Sequence, residues 1–420
     1  MIVTRVSVGD ASAHMLAGIR PLGTEEVGLA EALSRVLASD VTAPLSLPPW
    51  NAASMDGFAV RATDVRGASA SSPAELAVIG TIQAGGRAGH CVKTGQAVRI
   101  MTGAPVPEGA DGVIRVEDTD SSGGGVRIRD DRDAGRNVRM KGEDLRAGER
   151  ALEAGAVLGP AHLGLLSSCG FARIPVHRRP RVAILATGDE LVPVEEFAAV
   201  LAGNRIVSSN SYSLASAVRA AGGVAVPLGI ARDDRAALAE ALRRAEGCDL
   251  VLTSGGVSVG DFDFTRDVVA ELGGTLSLWR VLMRPGAPIG FGALFGVPWV
   301  GLPGNPVSAL VTFELFARPL IRALAGHGRP HRASLPVILG EPVTIVAPLT
   351  HFLRVRLTTR DDDATEARLT GAQGSGMLSS MAMADGLLIV PPSPLEQPAG
   401  ARLRAIPLGD TAGSSDRCPA

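Results

Sequence analysis

The chain has 420 residues, of which 46% are hydrophobic and 20% are charged, and its formal net charge is −2. This composition is typical of a globular protein and excludes an intrinsically disordered one. The two charge signs are interspersed and aromatic residues make up 3% of the chain, which argues against a nucleic-acid-binding or membrane-binding surface.

The N-terminal part of the chain is predicted to contain a helix followed by a small β domain. Residues 1–45 carry a helical pattern, ALSRVLASDVTAP, that ends at proline. From LPPWNAASMDGFAVR to about Asp144, period-two alternation between Gly, Pro and Asp clusters predicts short strands in ELAVIGTIQAGG, QAVRIMTGAPVP, DGVIRVED and GGGVRIRDD. Residues 145–178 are mixed, with a helix near AHLGLLSSCG.

From Pro180 onward, strand patterns alternate with helical ones. The predicted strands are RVAILATG, VAVPLGIA, CDLVLTSGG and PWVGLPG, and the predicted helices are NSYSLASAVRAAGG, DDRAALAEALRRAEG, DFTRDVVAELGG and NPVSALVTFELFARPLIRALAG. This alternation is typical of a parallel, doubly wound α/β sheet. After about Gly328, LPVILGEPVTIVAP, HFLRVRLTT, ARLT and GLLIVPP predict a small all-β domain.

The uncharged segment from Pro285 to Phe313 is not predicted to cross a membrane, because Gly and Pro recur throughout it and would interrupt a spanning helix. The N-terminus has no apolar run of signal-peptide length. The four cysteines, which form no CxxC pair, are Cys91, Cys169, Cys248 and Cys418. We therefore expect a cytoplasmic protein with reduced thiols.

Acidic, hydroxyl and glycine residues follow the predicted strands at the points where these strands end. Ligands of open parallel sheets bind at the carboxyl ends of the strands. The sets are Thr187-Gly188-Asp189-Glu190, Arg232-Asp233-Asp234, Ser254-Gly255-Gly256 continuing through Ser258 and Gly260 to Asp261 and Asp263, and Pro303-Gly304-Asn305-Pro306. Asn305 as N-cap and Pro306 at the first helical position predict a helix start whose free N–H groups attract an oxyanion, although a plain strand-to-helix turn explains the pair equally well.

The carboxylates at this sheet edge predict a divalent cation. Glu190, Asp233 and Asp263 would repel a phosphate unless a positive charge lies between them. Mg²⁺ is commonly held by one or two carboxylates together with phosphate oxygens. Helix capping is the favoured interpretation of Asp233 and Asp234 taken singly, but several acids beside glycine turns indicate a metal–phosphate site.

Three further clusters lie in the N-terminal half. Asp56 precedes a glycine in WNAASMDGFAVR, Thr102 ends a predicted strand in RIMTGAPVPEGAD, and Asp144 lies in NVRMKGEDLRAG. An Asp-Gly turn, a simple loop and a solvated charge run would explain them one by one. The histidines show no HExxH spacing, and no GxGxxG opens a helix after a strand, which disfavours zinc-protease and Rossmann dinucleotide sites.

Taken together, these stretches resemble the MoeA / gephyrin E-domain family of molybdopterin molybdenumtransferases. The matching segments, in the family's order, are SMDGFAVR, RIMTGAPVPEGAD, NVRMKGEDL, LATGDEL, GIARDD, TSGGVSVGDFDFT, RPGAPIGFG, GLPGNPVSALVTFE and GSGMLSSMAMADGLLIVP. They extend from Ser54 to Pro391 and so cover almost the whole chain.

The resemblance implies a four-part protomer that combines α/β and β domains. Its parts are an elongated domain from residues 1–45 and 145–178, an inserted β domain at 46–144, a MogA-like doubly wound α/β domain at 179–328 and a C-terminal β domain at 329–410. It also implies a homodimer in which the active cleft lies between the α/β domain of one subunit and the inserted domain of the other.

The reaction implied by the resemblance takes adenylylated molybdopterin and molybdate, with Mg²⁺, to molybdenum cofactor and AMP. The residues matched to catalytic positions are Asp56, Thr102, Asp144, Glu190, Asp233 and Asp263, and the last three are also the matched metal ligands. The residues matched to pterin and phosphate binding are Thr187, Gly188, Ser254, Gly255, Gly256, Ser258, Gly260, Arg280, Arg284, Pro303, Gly304, Asn305 and Pro306. Where relatives often carry lysines, this chain has Arg280, Arg284 and Ala287, which leaves the molybdate ligands open.

Two other functions are consistent with these patterns. A MogA-type adenylyltransferase would activate molybdopterin with ATP, but that activity resembles the α/β portion alone. A gephyrin-like scaffold would be non-enzymatic, and we expect it less because no fused catalytic domain or long linker is present. The resemblance also implies partners, namely a MogA-like adenylyltransferase and MobA-like or apo-molybdoenzyme acceptors of the finished cofactor.

Overall fold

The structure is a computed structural model and describes residues 3–256 and 264–409. The chain divides into two compact units. The first unit comprises Met1–Glu25, Ser34–Ala38 and Val176–Ala420, and the second comprises Glu26–Leu33 and Ser39–Pro175. Two strands, Thr24–Gly28 and Arg173–His177, carry the chain across this division.

A seven-stranded sheet forms the centre of the first unit. In spatial order its strands are Val3–Val6, Thr275–Val281, Gly290–Leu294, Val297–Leu302, Leu250–Ser254, Arg181–Thr187 and Val224–Ala231. The last four run parallel to one another, as the alternation of strands and helices predicted. Gly290–Leu294 runs antiparallel to both of its neighbours, so the doubly wound sheet also carries an antiparallel strand that the sequence did not predict.

Glycines inside that antiparallel strand explain why the sequence pattern did not reveal it. A Cβ atom on Gly292 would lie 1.7 Å from the carbonyl oxygen of Thr275 on the neighbouring strand, and one on Gly290 would lie 2.9 Å from the ring of Trp299. Glycine is therefore required for the close approach of these neighbours. In a sequence, however, Gly290 and Gly292 indicate turns rather than a strand.

Helices cover both faces of the sheet, because successive residues of a strand point to opposite faces. Ile184 packs with Leu214 in the core on one face, while Leu185 packs with Leu238 on the other. Full burial of a leucine side chain contributes roughly 1.5–3 kcal/mol. The helices that cover the two faces are Ser209–Ala220, Pro306–Thr312, Arg318–Leu324, Arg235–Arg243 and Thr265–Glu271, with a π-helical turn at Phe313–Ala317.

The C-terminal part of the first unit is the predicted β domain. Its strands, in spatial order, are Met283–Arg284, Thr350–Thr359, Thr365–Leu369, Leu335–Leu339, Arg402–Pro407 and Gly386–Val390. Thr350–Thr359 also pairs with Gly386–Val390, which closes five of these strands into a small barrel. A short pair, Val343–Thr344 with Glu396–Gln397, and a helix at Leu378–Ala382 complete this part.

A six-stranded sheet forms most of the second unit, as the alternating pattern predicted. Its spatial order is Gly112–Arg115, Gly57–Val60, Gln96–Ile100, Ala74–Ile82, Gly125–Ile128 and Thr119–Ser122. The remaining elements are the strand pairs Ala52–Ala53 with Val138–Arg139 and Val41–Thr42 with Arg150–Leu152, the helices Ala62–Val65 and Pro160–Ser168, and the 3-10 turns Leu29–Glu31 and Val116–Asp118.

The prediction of a helix in ALSRVLASDVTAP is wrong. This stretch holds no α-helix, and Ser34 within it has a φ of +63°, which is incompatible with a continuous helix. The helix of the N-terminal segment is instead Val8–Leu16, and the hydroxyl of Ser7 caps it by accepting a hydrogen bond from the Asp10 N–H at 3.1 Å. Across residues 3–256 and 264–409, no helix combines the length and apolar character needed to cross a bilayer.

Candidate active site

The register of three parallel strands brings the predicted site residues together. Ser254 is paired with Ala186 on one side and with Leu302 on the other. The residues at the ends of these strands, including Thr187 and Pro303, therefore lie at the same edge of the sheet. This is the carboxyl edge, where ligands bind in doubly wound sheets.

A cavity of about 420 Å³ opens at this edge. Predicted site residues from all three strand ends line it, namely Thr187, Glu190, Ser254, Gly255, Gly256, Pro303, Gly304, Asn305 and Pro306. Gly188 lies beside this wall with a φ of +151°, and a Cβ atom there would lie 2.7 Å from Glu190 Oε2. The positive φ favours glycine at this position, and the missing Cβ leaves room for the Glu190 carboxylate.

Asn210, which was not predicted from the sequence, joins two of the strand ends. It lies in the helix Ser209–Ala220, is 7% exposed, and lines the cavity. Its Nδ2 donates to Ser254 Oγ at 2.7 Å and to the Gly304 carbonyl at 2.8 Å. A polar residue in the first turn of a helix has no distinctive sequence signal, so this role depends on contacts more than 40 residues away in the chain.

Two buried polar atoms in this wall have no hydrogen-bond partner among the described residues. They are the hydroxyl oxygen of Thr187 and Oδ1 of Asn210. An unpaired buried polar atom is costly, so native proteins supply a partner from protein, water or ligand. Because the amide Oδ1 only accepts hydrogen bonds, its partner must be a donor or a cation.

The glycine-rich turn begins with two residues that tolerate no side chain. Gly255 has a φ of +94°, and a Cβ atom there would lie 2.7 Å from the Thr187 carbonyl oxygen. Gly256 has a φ of +66°, and its Cβ atom would lie 2.0 Å from the hydroxyl of Thr265. The rest of the predicted turn, including Ser258, Gly260, Asp261 and Asp263, lies outside the described residues.

Asp189, Glu190 and Asp233 form an acidic corner beside the cavity. Asp189 and Asp233 are joined by two backbone-to-carboxylate hydrogen bonds of 3.4 and 3.3 Å. Burial, together with the negative charges of Asp189 and Glu190, raises the pKa of Asp233 above its ordinary value. Asp234, by contrast, caps the next helix by accepting a hydrogen bond from the Ala237 N–H at 2.9 Å, so capping explains Asp234 and not Asp233.

The acidic corner suits a cation that is shared with a bound phosphate. Within 3–256 and 264–409, no set of three or more Asp, Glu, His or Cys side chains is arranged to hold a metal ion by itself. Glu190 and Asp233 supply two carboxylates, which is the number that Mg²⁺ usually takes from protein when phosphate oxygens complete its shell. The third predicted ligand, Asp263, is not among the described residues.

The helix that begins at Pro306 has Asn305 at its N-cap, as predicted, but the Asn305 side chain makes no capping hydrogen bond. The Val307 N–H instead donates to the Ser375 carbonyl at 3.0 Å, and Pro306 has no N–H. The first two helical positions therefore do not supply the free donors that were predicted for an oxyanion. The guanidinium of Arg354, which is fully buried, holds the segment that carries Ser375. It donates to the carbonyls of Ala372, Gln373 and Gly374 at 3.0–3.2 Å and to Ser380 Oγ at 3.0 Å.

Arg280 and Arg284 are exposed and do not line the cavity, although Pro288, four residues after Arg284, does. Arg280 has a φ of +76° and donates its backbone N–H to the Ile289 carbonyl at 3.2 Å. The structure therefore does not bring these two predicted binding residues into the cavity.

The second unit has a cavity of its own, of about 710 Å³. Thr102 and Asp144 line it together with Trp50, Arg139 and Glu143. Asp56 lies next to Thr102, whose side chain and backbone N–H both donate to Asp56 Oδ1, at 2.6 and 2.7 Å. These bonds, the one from the Thr102 hydroxyl first, hold the pKa of Asp56 below its ordinary value. The unit therefore presents an anionic Asp56 and an exposed Asp144.

Comparison with known proteins places this architecture in one family. Three family models match in order: the MoeA N-terminal region (domain I and II) over residues 6–170, a probable molybdopterin binding domain over residues 183–323 and the MoeA C-terminal region (domain IV) over residues 336–408. Molybdopterin molybdenumtransferase 2 of Mycobacterium tuberculosis is 40% identical over 398 residues, which cover 93% of this chain and 96% of that protein. This chain belongs to the MoeA family of molybdopterin molybdenumtransferases.

Further relatives agree with membership of the MoeA family. The molybdopterin molybdenumtransferase of Haemophilus influenzae is 34% identical over 377 residues, covering 88% of this chain and 90% of that protein. A crystal structure of the molybdopterin biosynthesis MoeA protein from Pyrococcus horikoshii has a TM-score of 0.82 at 28% identity, and covers 96% of this chain and 100% of that one. The multidomain α/β and β architecture predicted from the sequence is therefore confirmed.

Proposed function

We propose that this MoeA-family protein is a molybdopterin molybdenumtransferase, which inserts molybdate into adenylylated molybdopterin, releases AMP and yields the molybdenum cofactor. The observation that carries the proposal is the convergence of Thr187, Ser254–Gly256 and Pro303–Pro306 on one cavity beside an acidic corner. Such a site offers backbone and hydroxyl groups to a pterin phosphate and carboxylates to its counter-ion.

The covalent step in this proposal cleaves the phosphoanhydride between AMP and molybdopterin. Water adds its oxygen to one phosphorus, the bridging oxygen leaves with the other phosphate, and the water proton passes to solvent or a carboxylate. Glu190 and Asp233 would hold Mg²⁺, with Asp263 as the predicted third ligand. When bound, this ion would neutralise charge on the phosphate oxygens and polarise the phosphorus.

Other residues of the chain would orient the substrate and attract molybdate. Two groups in the cavity wall would orient the substrate. They are the hydroxyl of Ser254, which Asn210 orients, and the backbone amides of the Gly255–Gly256 turn. Arg280 and Arg284 would attract molybdate, since a guanidinium fork matches the geometry of an oxyanion. In the homodimer that the resemblance implies, Asp56, Thr102 and Asp144 would come from the inserted domain of the other subunit and supply polar contacts to the substrate.

The proposal also includes the setting of the reaction. We propose a cytoplasmic homodimer that takes its substrate from a MogA-like adenylyltransferase and passes its product to MobA-like or apo-molybdoenzyme acceptors. Support for a reducing compartment comes from the thiols within the described residues, where Cys169 and Cys248 are buried and Cys91 is exposed and unpaired.

The decisive experiment supplies purified adenylylated molybdopterin, molybdate and Mg²⁺ and follows AMP release and cofactor formation. We expect AMP release that depends on molybdate, and we expect Glu190→Gln and Asp263→Asn to abolish turnover while circular dichroism remains native. Consumption of ATP with unadenylylated molybdopterin would instead identify an adenylyltransferase. Binding without any turnover would favour a scaffold.

A further inference from the structure

The second unit exposes a tryptophan inside its cavity. The chain has three tryptophans; Trp299 is fully buried and Trp279 is partly buried, whereas Trp50 is 45% exposed and lines the 710 Å³ cavity. Its indole N–H lies 3.5 Å from the Gly103 carbonyl, at the outer limit of a hydrogen bond. Large aromatic side chains usually bury most of their surface, so this exposed indole is available to a ligand.

The backbone on both sides of Trp50 is fixed. Pro48 and Pro49 precede it, and proline restricts φ to about −65°. The next residue, Asn51, accepts the Val106 N–H on its carbonyl and the Lys141 N–H on its side chain, both at 2.8 Å. With its backbone fixed, the Trp50 side chain has only two rotatable bonds, so little conformational entropy is lost when a ring stacks on the indole.

The charges around Trp50 select the class of ligand. Asp144 and Glu143 line the same cavity, and in the part of the chain that the structure describes neither carboxylate takes part in an ion pair. Arg139 also lines this cavity, so the lining carries two carboxylates against one guanidinium. The excess of negative charge disfavours a bare oxyanion against the indole, and the carboxylates accept hydrogen bonds from amino groups. A planar heteroaromatic ring with exocyclic amino groups satisfies both features.

We propose that Trp50 is the stacking platform for such a ring of the substrate, with Asp144 accepting from its amino edge. The inference rests on the proposed function, because adenylylated molybdopterin carries two rings of this chemistry, adenine and pterin. Trp50 thus contributes binding rather than proton transfer.

Kinetics of the proposed reaction test this role. Stacking on an aromatic side chain improves binding by about 5- to 150-fold. We expect Trp50→Ala to raise KM by roughly tenfold with kcat nearly unchanged, since ring binding is alike in ground and transition states, and we expect Trp50→Phe to restore most of the loss. An unchanged KM in natively folded Trp50→Ala would overturn the inference while leaving the proposed function intact.

A direct binding measurement separates the two rings and does not need turnover. Intrinsic tryptophan fluorescence is titrated with AMP and, separately, with unsubstituted pterin, with Trp50→Phe providing the background signal. Saturable quenching by AMP alone assigns adenine to Trp50, and quenching by pterin alone assigns the pterin.

The control is Leu33→Ala, which truncates an exposed apolar side chain of the same unit outside the cavity and is expected to quench like the wild type. Absence of Trp50-dependent quenching by either ring would refute the platform. Quenching in a wild type that forms no cofactor would instead refute the proposed function alone.

Discussion

Asp189 and Asp233 accept hydrogen bonds from each other's backbone. The Asp189 N–H donates to Asp233 Oδ2 at 3.4 Å and the Asp233 N–H donates to Asp189 Oδ1 at 3.3 Å. The bonds tie the ends of two neighbouring strands together and hold two carboxylates near Glu190. Electrostatic repulsion is thereby built into the edge of the candidate site, as expected where a cation is to be bound.

Asp233→Asn is expected to stabilise the protein at neutral pH. The folded-state pKa of Asp233 is raised by burial and by its acidic neighbours, so the folded state binds the proton more tightly than the unfolded state does. The penalty is fully present at pH 7 and disappears as the pH falls below the ordinary value of 3.8. Because the carboxylate is partly exposed, we expect the thermal midpoint to rise by only about 1–2 °C.

Thermal unfolding of the wild type and Asp233→Asn at pH 7 and pH 4 checks this sign. The gain should shrink at pH 4, and added Mg²⁺ should stabilise the wild type more than the variant. A variant that is less stable than the wild type at pH 7 would show that Asp233 is a stabilising residue instead.

Thr102→Val is expected to weaken activity most at the acid end of the pH profile. The hydroxyl of Thr102 is the first cause of the lowered pKa of Asp56, so its removal lets Asp56 take up a proton at higher pH. We expect turnover to fall roughly fivefold at pH 7 and further as the pH falls towards 3.8, the ordinary pKa of an aspartate, as measured by AMP release. Thr102→Ser keeps the hydroxyl and should retain the wild-type profile; equal profiles for all three proteins would contradict the role of this pair.

Asn210→Ala is expected to lower the free energy of unfolding and to weaken the wall of the cavity in the first unit. It removes the donor to Ser254 Oγ and to the Gly304 carbonyl, and the loss of buried hydrogen bonds of this kind costs roughly 1–3 kcal/mol in the free energy of unfolding. Urea unfolding measures the stability, and substrate titration should show weaker binding. Ser213→Ala on the same helix is the control, and a loss no larger than in this control would exclude the proposed tie.

Gly256→Ala is expected to cost more stability than Gly273→Ala. Both glycines have positive φ, +66° and +78°, but a Cβ atom on Gly273 meets open space, whereas one on Gly256 would lie 2.0 Å from the Thr265 hydroxyl. The backbone strain of about 1–2 kcal/mol is common to both, so the difference reports the clash. Replacing Thr265 by alanine in the Gly256→Ala background should recover part of it, as judged by urea midpoints.

Local patterns predicted much of the fold. Strands such as Arg181–Thr187 and helices such as Arg235–Arg243 were identifiable because their apolar spacing records which face is buried. The antiparallel strand Gly290–Leu294 could not be identified from the sequence. Its glycines are required by the close approach of neighbouring strands and not by the local backbone conformation.

The candidate site was partly predictable for the same reason. Thr187, Ser254 and Pro303 each lie at the end of a recognisable strand, and topology dictates that such strand ends share one edge. Asn210 and the cap that Ser375 gives to Val307 had no local signal, because both are contacts between residues distant in sequence. The metal ligands and the four-domain division remain predictions.

By itself, the sequence determined the alternation of strands and helices, the order of the motifs that mark the family, and the glycine-containing turns at the strand ends. The tertiary structure decided which of the acids face one another, which polar atoms are left without a partner, and that Trp50 lies open in a cavity. The physical reason is that burial periodicity and turn chemistry are properties of a short segment, whereas a raised pKa or an exposed indole depends on groups that only the folded chain brings together.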